Sequence, residues 1–185
     1  MTRVLVPLAE GCEELEAVTI IDLLRRAQIE VVTAGLVPGP VRGSRGTVLV
    51  PDVALETVLD QAFDMIVLPG GQPGATNLER DARVINLLKT MAGLGRYTAA
   101  ICAAPKVLAV AGLLHGKQAT SYPGALDPIQ FPDIRIDTRA VVRDGHVLTS
   151  RGPGTAMDFA LALIETLTNQ TTRDQVERGL VRTPA

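Results

Sequence analysis

The sequence predicts an α/β domain in which helices cover both faces of a mostly parallel central sheet. Short, almost continuous apolar runs recur along its 185 residues, and such strands are typical of sheets that are buried on both faces. Segments with helical periodicity separate the runs, as in a doubly wound sheet. The apolar runs are RVLVPL from Arg3, IEVVTAGL from Ile29, FDMIVLPG from Phe63, YTAAIC from Tyr97 and VLTSRG from Val147.

Additional elements are predicted around this sheet. Residues 41–52 indicate a small β excursion, and residues 141–150 indicate a hairpin that turns at Asp144 and Gly145. Residues 172–180 predict a short helix, and residues 182–185 are expected to fray. Without a repeat or a linker, residues 1–185 are predicted to form a single domain. The main helical segments are EELEAVTIIDLLRRA from Glu13, ERDARVINLLKTMAGL from Glu79, APKVLAVAGLL from Ala104 and GTAMDFALALIETL from Gly154.

Composition argues against several classes of protein. The 20 acidic residues exceed the 18 Lys and Arg residues, so no basic field favours a specific nucleic-acid partner. The longest apolar stretch is interrupted by Pro105 and Lys106, and the N-terminus leads directly into the first strand. We therefore expect no membrane partner and a cytoplasmic location. With two distant cysteines, two histidines and no nucleotide-loop motif, no disulfide, metal or other cofactor is predicted.

Cys102 is the candidate nucleophile. It ends a predicted strand, and Pro105 is suited to the first turn of the helix that follows. A thiol at this place is exposed to the positive end of the helix, which favours the reactive thiolate. The alternative is that Cys102 is a small core residue. Cys12, which is surrounded by acidic residues, is interpreted as a bystander.

Glu13 and Glu16 are both candidates for a buried carboxylic acid on the first helix. Glu16 shares a stripe with Ile20 and Leu23, and Glu13 also aligns with apolar positions. Burial would raise the pKa of such an acid and let it donate a hydrogen bond or move a proton. The alternative is a first-turn acid that complements the helix dipole, and periodicity does not choose between the two.

Glycines mark two further turns at the predicted carboxyl edge of the sheet. Gly70 and Gly71 follow a strand, and their lack of Cβ would let backbone N–H groups approach a reacting oxygen. Residues 152–155 are predicted to form the second turn, at the start of the helical segment from Gly154. A plain strand-to-helix turn is the alternative for Gly70 and Gly71.

The segments LAEGCEELEAV, VLPGG, AAICAAP and LTSRGPGTAMDFAL together resemble the ThiJ/PfpI superfamily. The similarity is greatest to the branch of the Parkinson-disease protein deglycase (DJ-one) and bacterial YajL, and it covers nearly the whole chain. The resemblance implies a flavodoxin-like three-layer sandwich of the glutamine-amidotransferase-like type, and a homodimer. It also implies that Cys102 reacts and that Glu16, protonated, binds its thiolate.

The resemblance implies roles for other residues as well. Gly70, Gly71 and Ala103 would surround the oxyanion, Arg45 and Arg26 would lie at a dimer interface near the site, and Tyr122, Pro153 and Gly154 would line the pocket. Tyr122 stands where the human relative has a histidine, which argues against a cysteine–histidine dyad. Ala103 stands where related peptidases have a histidine, which disfavours proteolysis.

Two functions follow as expectations. The first is a cysteine-dependent deglycase or glutathione-independent glyoxalase that acts on methylglyoxal, glyoxal or their adducts, including glycated proteins. The second is a redox-responsive chaperone or oxidative-stress sensor in which Cys102 becomes a sulfinate. A role in thiazole biosynthesis has no support beyond the family name.

Overall fold

A seven-stranded sheet forms the centre of the protein. The computed structural model describes residues 2–182. The strand order is β10-β11-β7-β6-β1-β2-β5, and all neighbours are parallel except β10 and β11. The strands of this sheet are β1 (Arg3–Leu8), β2 (Glu30–Gly35), β5 (Val53–Ala54), β6 (Met65–Leu68), β7 (Tyr97–Ile101), β10 (Val141–Asp144) and β11 (Val147–Ser150).

Four short strands form two separate two-stranded sheets. The predicted β excursion is confirmed as an antiparallel hairpin, and a second pair of strands is parallel. The predicted 141–150 hairpin is confirmed as β10 and β11. The additional strands are β3 (Val41–Arg42), β4 (Val48–Leu49), β8 (Gln118–Ala119) and β9 (Arg135–Ile136).

Helices cover both faces of the sheet, which confirms the predicted fold class. One apolar cluster joins the sheet to α1, α5 and α6, and another joins its opposite face to α2, α3 and α4. The helices are α1 (Glu14–Arg26), α2 (Gly74–Arg80), α3 (Ala82–Gly93), α4 (Pro105–Val110), α5 (Ala156–Leu167) and α6 (Gln170–Gly179).

Three helix boundaries differ from the sequence prediction. The helix that was expected to start at Glu79 begins at Ala82, because the Asp81 carboxylate accepts a hydrogen bond from the Arg83 N–H and caps a new helix there. The helix after Cys102 ends at Val110, and residues 153–155 form a 3-10 turn before α5. The terminal residues 183–185 of the expected frayed segment lie outside the described residues.

Among residues 2–182, none of the helices combines the length and apolar character needed to cross a bilayer.

Candidate functional site

Cys102 lies in a strained turn between β7 and α4. Its φ of 65° falls in the left-handed region, which a residue with a Cβ rarely adopts. The Cys102 N–H donates to the carbonyl of Ser150 at 3.0 Å, and its own carbonyl accepts from the Tyr122 N–H at 2.8 Å. Backbone hydrogen bonds from two neighbouring segments therefore hold the turn at the carboxyl edge of the sheet, where Cys102 is 7% exposed.

Glu16 lies beneath this turn on the buried side of α1. The side chain is fully buried, and its Oε2 accepts a 2.8 Å hydrogen bond from the Gly70 N–H. Its Oε1 is also buried and has no hydrogen-bond partner among residues 2–182. Glu13 has a different role: its carboxylate caps α1 by accepting from the Glu16 N–H at 2.8 Å. The geometry thus separates the two acids that helical periodicity left equivalent.

Gly70 lets Glu16 and Cys102 approach each other. A Cβ placed on Gly70 would lie 2.5 Å from Cys102 Cβ and 2.8 Å from Glu16 Oε2, which is closer than such atoms can approach. The sequence predicted that the Gly70 N–H helps to bind an oxyanion. That N–H is instead committed to Glu16, so Gly70 holds the acid in place rather than a reacting oxygen.

The pKa values of both groups are raised. Burial raises the pKa of Glu16 to about 7, although the hydrogen bond from Gly70 and the Cys102 thiol oppose this change. Burial and the negative charge of Glu16 raise the pKa of Cys102 to about 12. The sequence predicted a lowered pKa for Cys102 from the helix end. That direction is wrong because burial and Glu16 outweigh the neighbouring N–H groups. The two groups therefore share at most one negative charge near neutral pH.

Gly71 and Ala103 provide the N–H groups that face the thiol. Their backbone hydrogen bonds act to lower the pKa of Cys102, in opposition to burial and Glu16. Gly71 has a φ of 86°, and a Cβ there would lie 2.4 Å from the backbone nitrogen of Glu13. Of the three predicted oxyanion residues, Gly71 and Ala103 thus have the geometry to stabilise negative charge at sulfur or at an adjoining oxygen.

A pocket of about 340 Å³ opens above Cys102. Tyr122, 54% exposed, forms part of its wall and remains accessible from solvent. Pro153 lines the pocket as expected, whereas Gly154 lies on the exposed side of its turn and is not among the lining residues. The lining residues are Glu13, Ser44, Arg45, Gly71, Gln72, Cys102, Ala103, Tyr122 and Pro153.

Of the two arginines that were expected near the site, only Arg45 lies at the pocket. Arg45, on the turn between β3 and β4, lines the pocket. Arg26 lies in the last turn of α1, ten residues from Glu16, and pairs with Asp22 of the same helix at 2.7 Å. Because a helix rises about 1.5 Å per residue, Arg26 is remote from Cys102 within the chain.

Sequence reasoning missed Glu14, which is 9% exposed and binds the turn that carries Arg45. It also missed Ser44 and Gln72, which line the pocket. The signal for Glu14 was weak, since an acid in a first helical turn is ordinarily explained by the helix dipole. Its contacts depend on residues thirty positions away and become visible only in the folded chain.

Other reactive groups of the chain lie outside this arrangement. Cys12 is fully buried, and burial, followed by the charge of Glu14, raises the pKa of its thiol to about 11. His115 pairs with Asp133, and His146 precedes β11 at the opposite end of the sheet from Cys102. Within the described part of the chain, no three His, Cys, Asp or Glu side chains are grouped as a potential metal site.

Comparisons with known proteins agree with the fold. The model of the DJ-1/PfpI family matches residues 2–166. The chain is 43% identical over 178 residues to protein dj-1beta of Drosophila melanogaster, covering 96% of this chain and 95% of the relative. It is 38% identical over 159 residues to glutathione-independent glyoxalase DJR-1.2 of Caenorhabditis elegans, covering 85% and 84%.

Similarity of structure extends over the whole chain. The solved structure of oxidized Toxoplasma gondii DJ-1 superposes with a TM-score of 0.93 at 38% sequence identity, and 100% of each chain is covered. The sheet order, the strained Cys102 turn and the Glu16 pairing thus occur in a chain whose sequence and fold both match one family. This protein belongs to the DJ-1/PfpI family.

Proposed function

We propose that this protein is a cysteine-dependent, glutathione-independent glyoxalase that converts methylglyoxal to lactate and glyoxal to glycolate. The observation that carries the proposal is the pairing of Glu16 with Cys102 beneath an open pocket. A nucleophile beside a buried acid of raised pKa is an arrangement suited to covalent catalysis with proton transfer. The C. elegans relative with the glyoxalase name supports this choice.

The first step is attack of Cys102 on the aldehyde carbon. Glu16, in its ionised form, accepts the thiol proton on the unpaired Oε1 while the sulfur–carbon bond forms. The aldehyde oxygen receives the developing charge, which the N–H groups of Gly71 and Ala103 stabilise. The oxygen then takes the proton from Glu16, which leaves Glu16 ionised again. The product of this step is a hemithioacetal attached to Cys102.

The second step moves hydrogen between the two carbons. Glu16 removes the proton from the former aldehyde carbon and delivers it to the neighbouring carbonyl carbon, while the hydroxyl proton of the first carbon passes to the oxygen of the second. The first carbon is oxidised and the second is reduced, so no external oxidant is needed. The resulting thioester of a 2-hydroxy acid is hydrolysed by water, which releases lactate or glycolate and restores the Cys102 thiol.

Adducts of dicarbonyls with protein side chains extend the proposal to a deglycase activity. A pocket of about 340 Å³ is at the lower end of the range for drug-sized ligands, so it has room for a dicarbonyl that is still attached to a larger group. The exposed position of Tyr122 leaves one wall accessible to such a substrate. In this reaction the Cys102 sulfur forms a bond to the adduct carbon, the bond from that carbon to the amine nitrogen or thiol sulfur breaks, and the leaving group takes the proton that Glu16 accepted from Cys102.

Formation of lactate from methylglyoxal without glutathione tests the proposal. Wild type should turn over, whereas Cys102→Ser and Glu16→Gln should lose activity by a factor of about 100 to 10,000, the range for a lost acid–base group or nucleophile. Glu10→Gln is the matched control, because Glu10 is an exposed acid outside the pocket lining. Equal activity of wild type and both site variants would exclude the proposal.

A second candidate function is redox sensing through Cys102. Peroxide would oxidise the Cys102 thiol to a sulfenic acid with release of water, and a second peroxide would give the sulfinic acid with release of another water. Protonated Glu16 would donate a hydrogen bond to the sulfinate, and the oxidized Toxoplasma structure favours testing this chemistry. Mass spectrometry after peroxide treatment should find two added oxygen atoms on Cys102 in wild type and fewer in Glu16→Gln. Chaperone action, measured as suppressed aggregation of a client protein, should then depend on that oxidation.

We also propose that the chain forms a homodimer. Leu15 and Val18 expose about half of their surface on one side of α1, and Val48 and Val50 are exposed on and beside the β3–β4 hairpin. Exposed apolar groups of this kind favour burial against another copy. Sedimentation should show a dimer in wild type and a monomer in Val18→Glu. A wild type that remains monomeric at micromolar concentration would exclude this assembly.

A further inference from the structure

Glu14 binds the turn between β3 and β4 from the first turn of α1. Its Oε1 accepts hydrogen bonds from the N–H groups of Arg45, at 2.9 Å, and Thr47, at 3.1 Å. Its Oε2 lies 3.2 Å from the hydroxyl of Ser44, which donates to it, and also accepts from the Arg45 N–H at 3.1 Å. One carboxylate thus holds three residues of a turn that is about thirty residues away in the sequence.

This carboxylate is an integral part of the turn. Glu14 is 9% exposed, and although burial favours protonation, the hydrogen bonds from its own backbone and from the turn outweigh it and lower the pKa of Glu14 to about 2. Gly43 in this turn leaves room for the carboxylate, because a Cβ on Gly43 would lie 2.6 Å from Glu14 Oε2. An ordinary first-turn acid that serves only the helix dipole would not need such a fitted partner.

The turn carries part of the wall of the Cys102 pocket. Ser44 and Arg45 both line it, and the Ser44 N–H donates to the Cys12 carbonyl at 2.8 Å. Among residues 2–182, no carboxylate forms an ion pair with the Arg45 guanidinium. Its positive charge is therefore available to a ligand in the pocket, provided that the turn keeps its position.

We propose that Glu14 is a positioning residue that holds Arg45 at the Cys102 pocket, so that the pocket favours electrophiles with a negative charge near the reacting carbon. Glu14 acts through the backbone of the turn and touches no reacting atom. The inference rests on the proposed role of Cys102 as a nucleophile, and it narrows the substrate class to compounds or adducts that carry a carboxylate or a similar anion.

Two alkylating reagents of similar size test the inference without any enzymatic turnover. Iodoacetate is an anion and iodoacetamide is neutral, and in both reactions the thiolate displaces iodide to form a thioether. The ratio of their rates at Cys102 reports the charge that the pocket presents, while the intrinsic reactivity of the thiol cancels. Peptide mass spectrometry separates Cys102 from Cys12.

Glu14→Gln replaces one acceptor oxygen by an amide donor that faces other donors, so the turn should move. The ratio of the iodoacetate rate to the iodoacetamide rate should then fall about fivefold, which is the effect of one partly screened charge. Arg45→Met should lower the ratio by a similar factor, and the double variant should show no further loss. Glu10→Gln removes an acid that binds the same hairpin through the Arg42 N–H at 3.0 Å, and it should keep the wild-type ratio.

Gly43→Ala is the second variant, and it changes no charge. Its Cβ would displace the Glu14 carboxylate, so the ratio should fall as in Glu14→Gln, whereas Gly93→Ala, whose Cβ would meet nothing within 4 Å, should keep it. An unchanged ratio in Gly43→Ala and in Glu14→Gln overturns the positioning role. A ratio that falls in both while Arg45→Met is unaffected also overturns it. If wild type forms no lactate from methylglyoxal while the alkylation ratios change as expected, the proposed glyoxalase function is contradicted and the positioning role of Glu14 stands.

Discussion

The backbone N–H of Gly70 donates a 2.8 Å hydrogen bond to Oε2 of Glu16, which joins the loop after β6 to the buried side of α1. The bond leaves Oε1 of Glu16 without a partner among the described residues. One acid oxygen is therefore held in place, and the other is buried and able to take up a proton.

The first prediction concerns the pH dependence of turnover. The active form holds one proton between Glu16 and Cys102, so kcat/KM for methylglyoxal should rise with pH through the Glu16 pKa of about 7 and then level off. Stopped assays of lactate between pH 5 and pH 9, corrected for the uncatalysed reaction, measure this profile. A flat profile through pH 7 would contradict a proton-accepting role for Glu16.

The second prediction concerns stability. The pKa of Glu16 is higher in the folded chain, at about 7, than its ordinary value of 4.5, so the folded state binds the proton more tightly. The contribution of Glu16 to the free energy of unfolding is therefore largest below pH 4.5 and decreases as pH rises to 7, by about 3 kcal/mol. Glu16→Gln cannot ionise, so urea unfolding at pH 5 and pH 8 should change less for this variant than for wild type. Equal pH dependence of the two proteins would show that Glu16 ionises normally.

The third prediction concerns Gly70→Ala. The new Cβ would lie 2.5 Å from Cys102 Cβ and 2.8 Å from the carbonyl oxygen of Ile101, so the turn or the acid must shift. We expect a loss of about 1–3 kcal/mol in the free energy of unfolding, as for other overpacked sites, together with loss of turnover. Gly93→Ala is the control, since its Cβ meets no atom within 4 Å. A fully active Gly70→Ala would mean that Glu16 and Cys102 need not be in close contact.

The fourth prediction separates the two cysteines. Cys12 is fully buried, whereas Cys102 lines an open pocket. Iodoacetamide should label Cys102 in the folded protein and should label Cys12 only after denaturation. Cys12→Ala should keep most of the turnover that Cys102→Ser loses. Early labelling of Cys12 would show that its surroundings open readily.

Much of the architecture was predictable because its causes are local. Apolar runs that alternate with helical periodicity require a sheet covered on both faces, and the predicted 141–150 hairpin follows from its Asp144–Gly145 turn. Some boundaries were not predictable, since Asp81 can either continue a helix or cap a new one. The structure uses it as a cap.

In the candidate site, too, some features were predictable from the sequence and others depended on tertiary contacts. The sequence by itself determined the α/β fold class, the position of Cys102 between a strand and a helix, and the two acids on α1 that could serve it. Only the tertiary structure decided that Glu16 is buried against Gly70 while Glu13 caps the helix. It also decided that Arg45 reaches the pocket while Arg26 does not. The hydrogen bonds by which Glu14 holds the turn of Arg45 were likewise visible only in the folded chain. The physical reason is that helical periodicity places a side chain on a face, whereas its pKa and hydrogen bonds depend on distant segments that meet it only after folding.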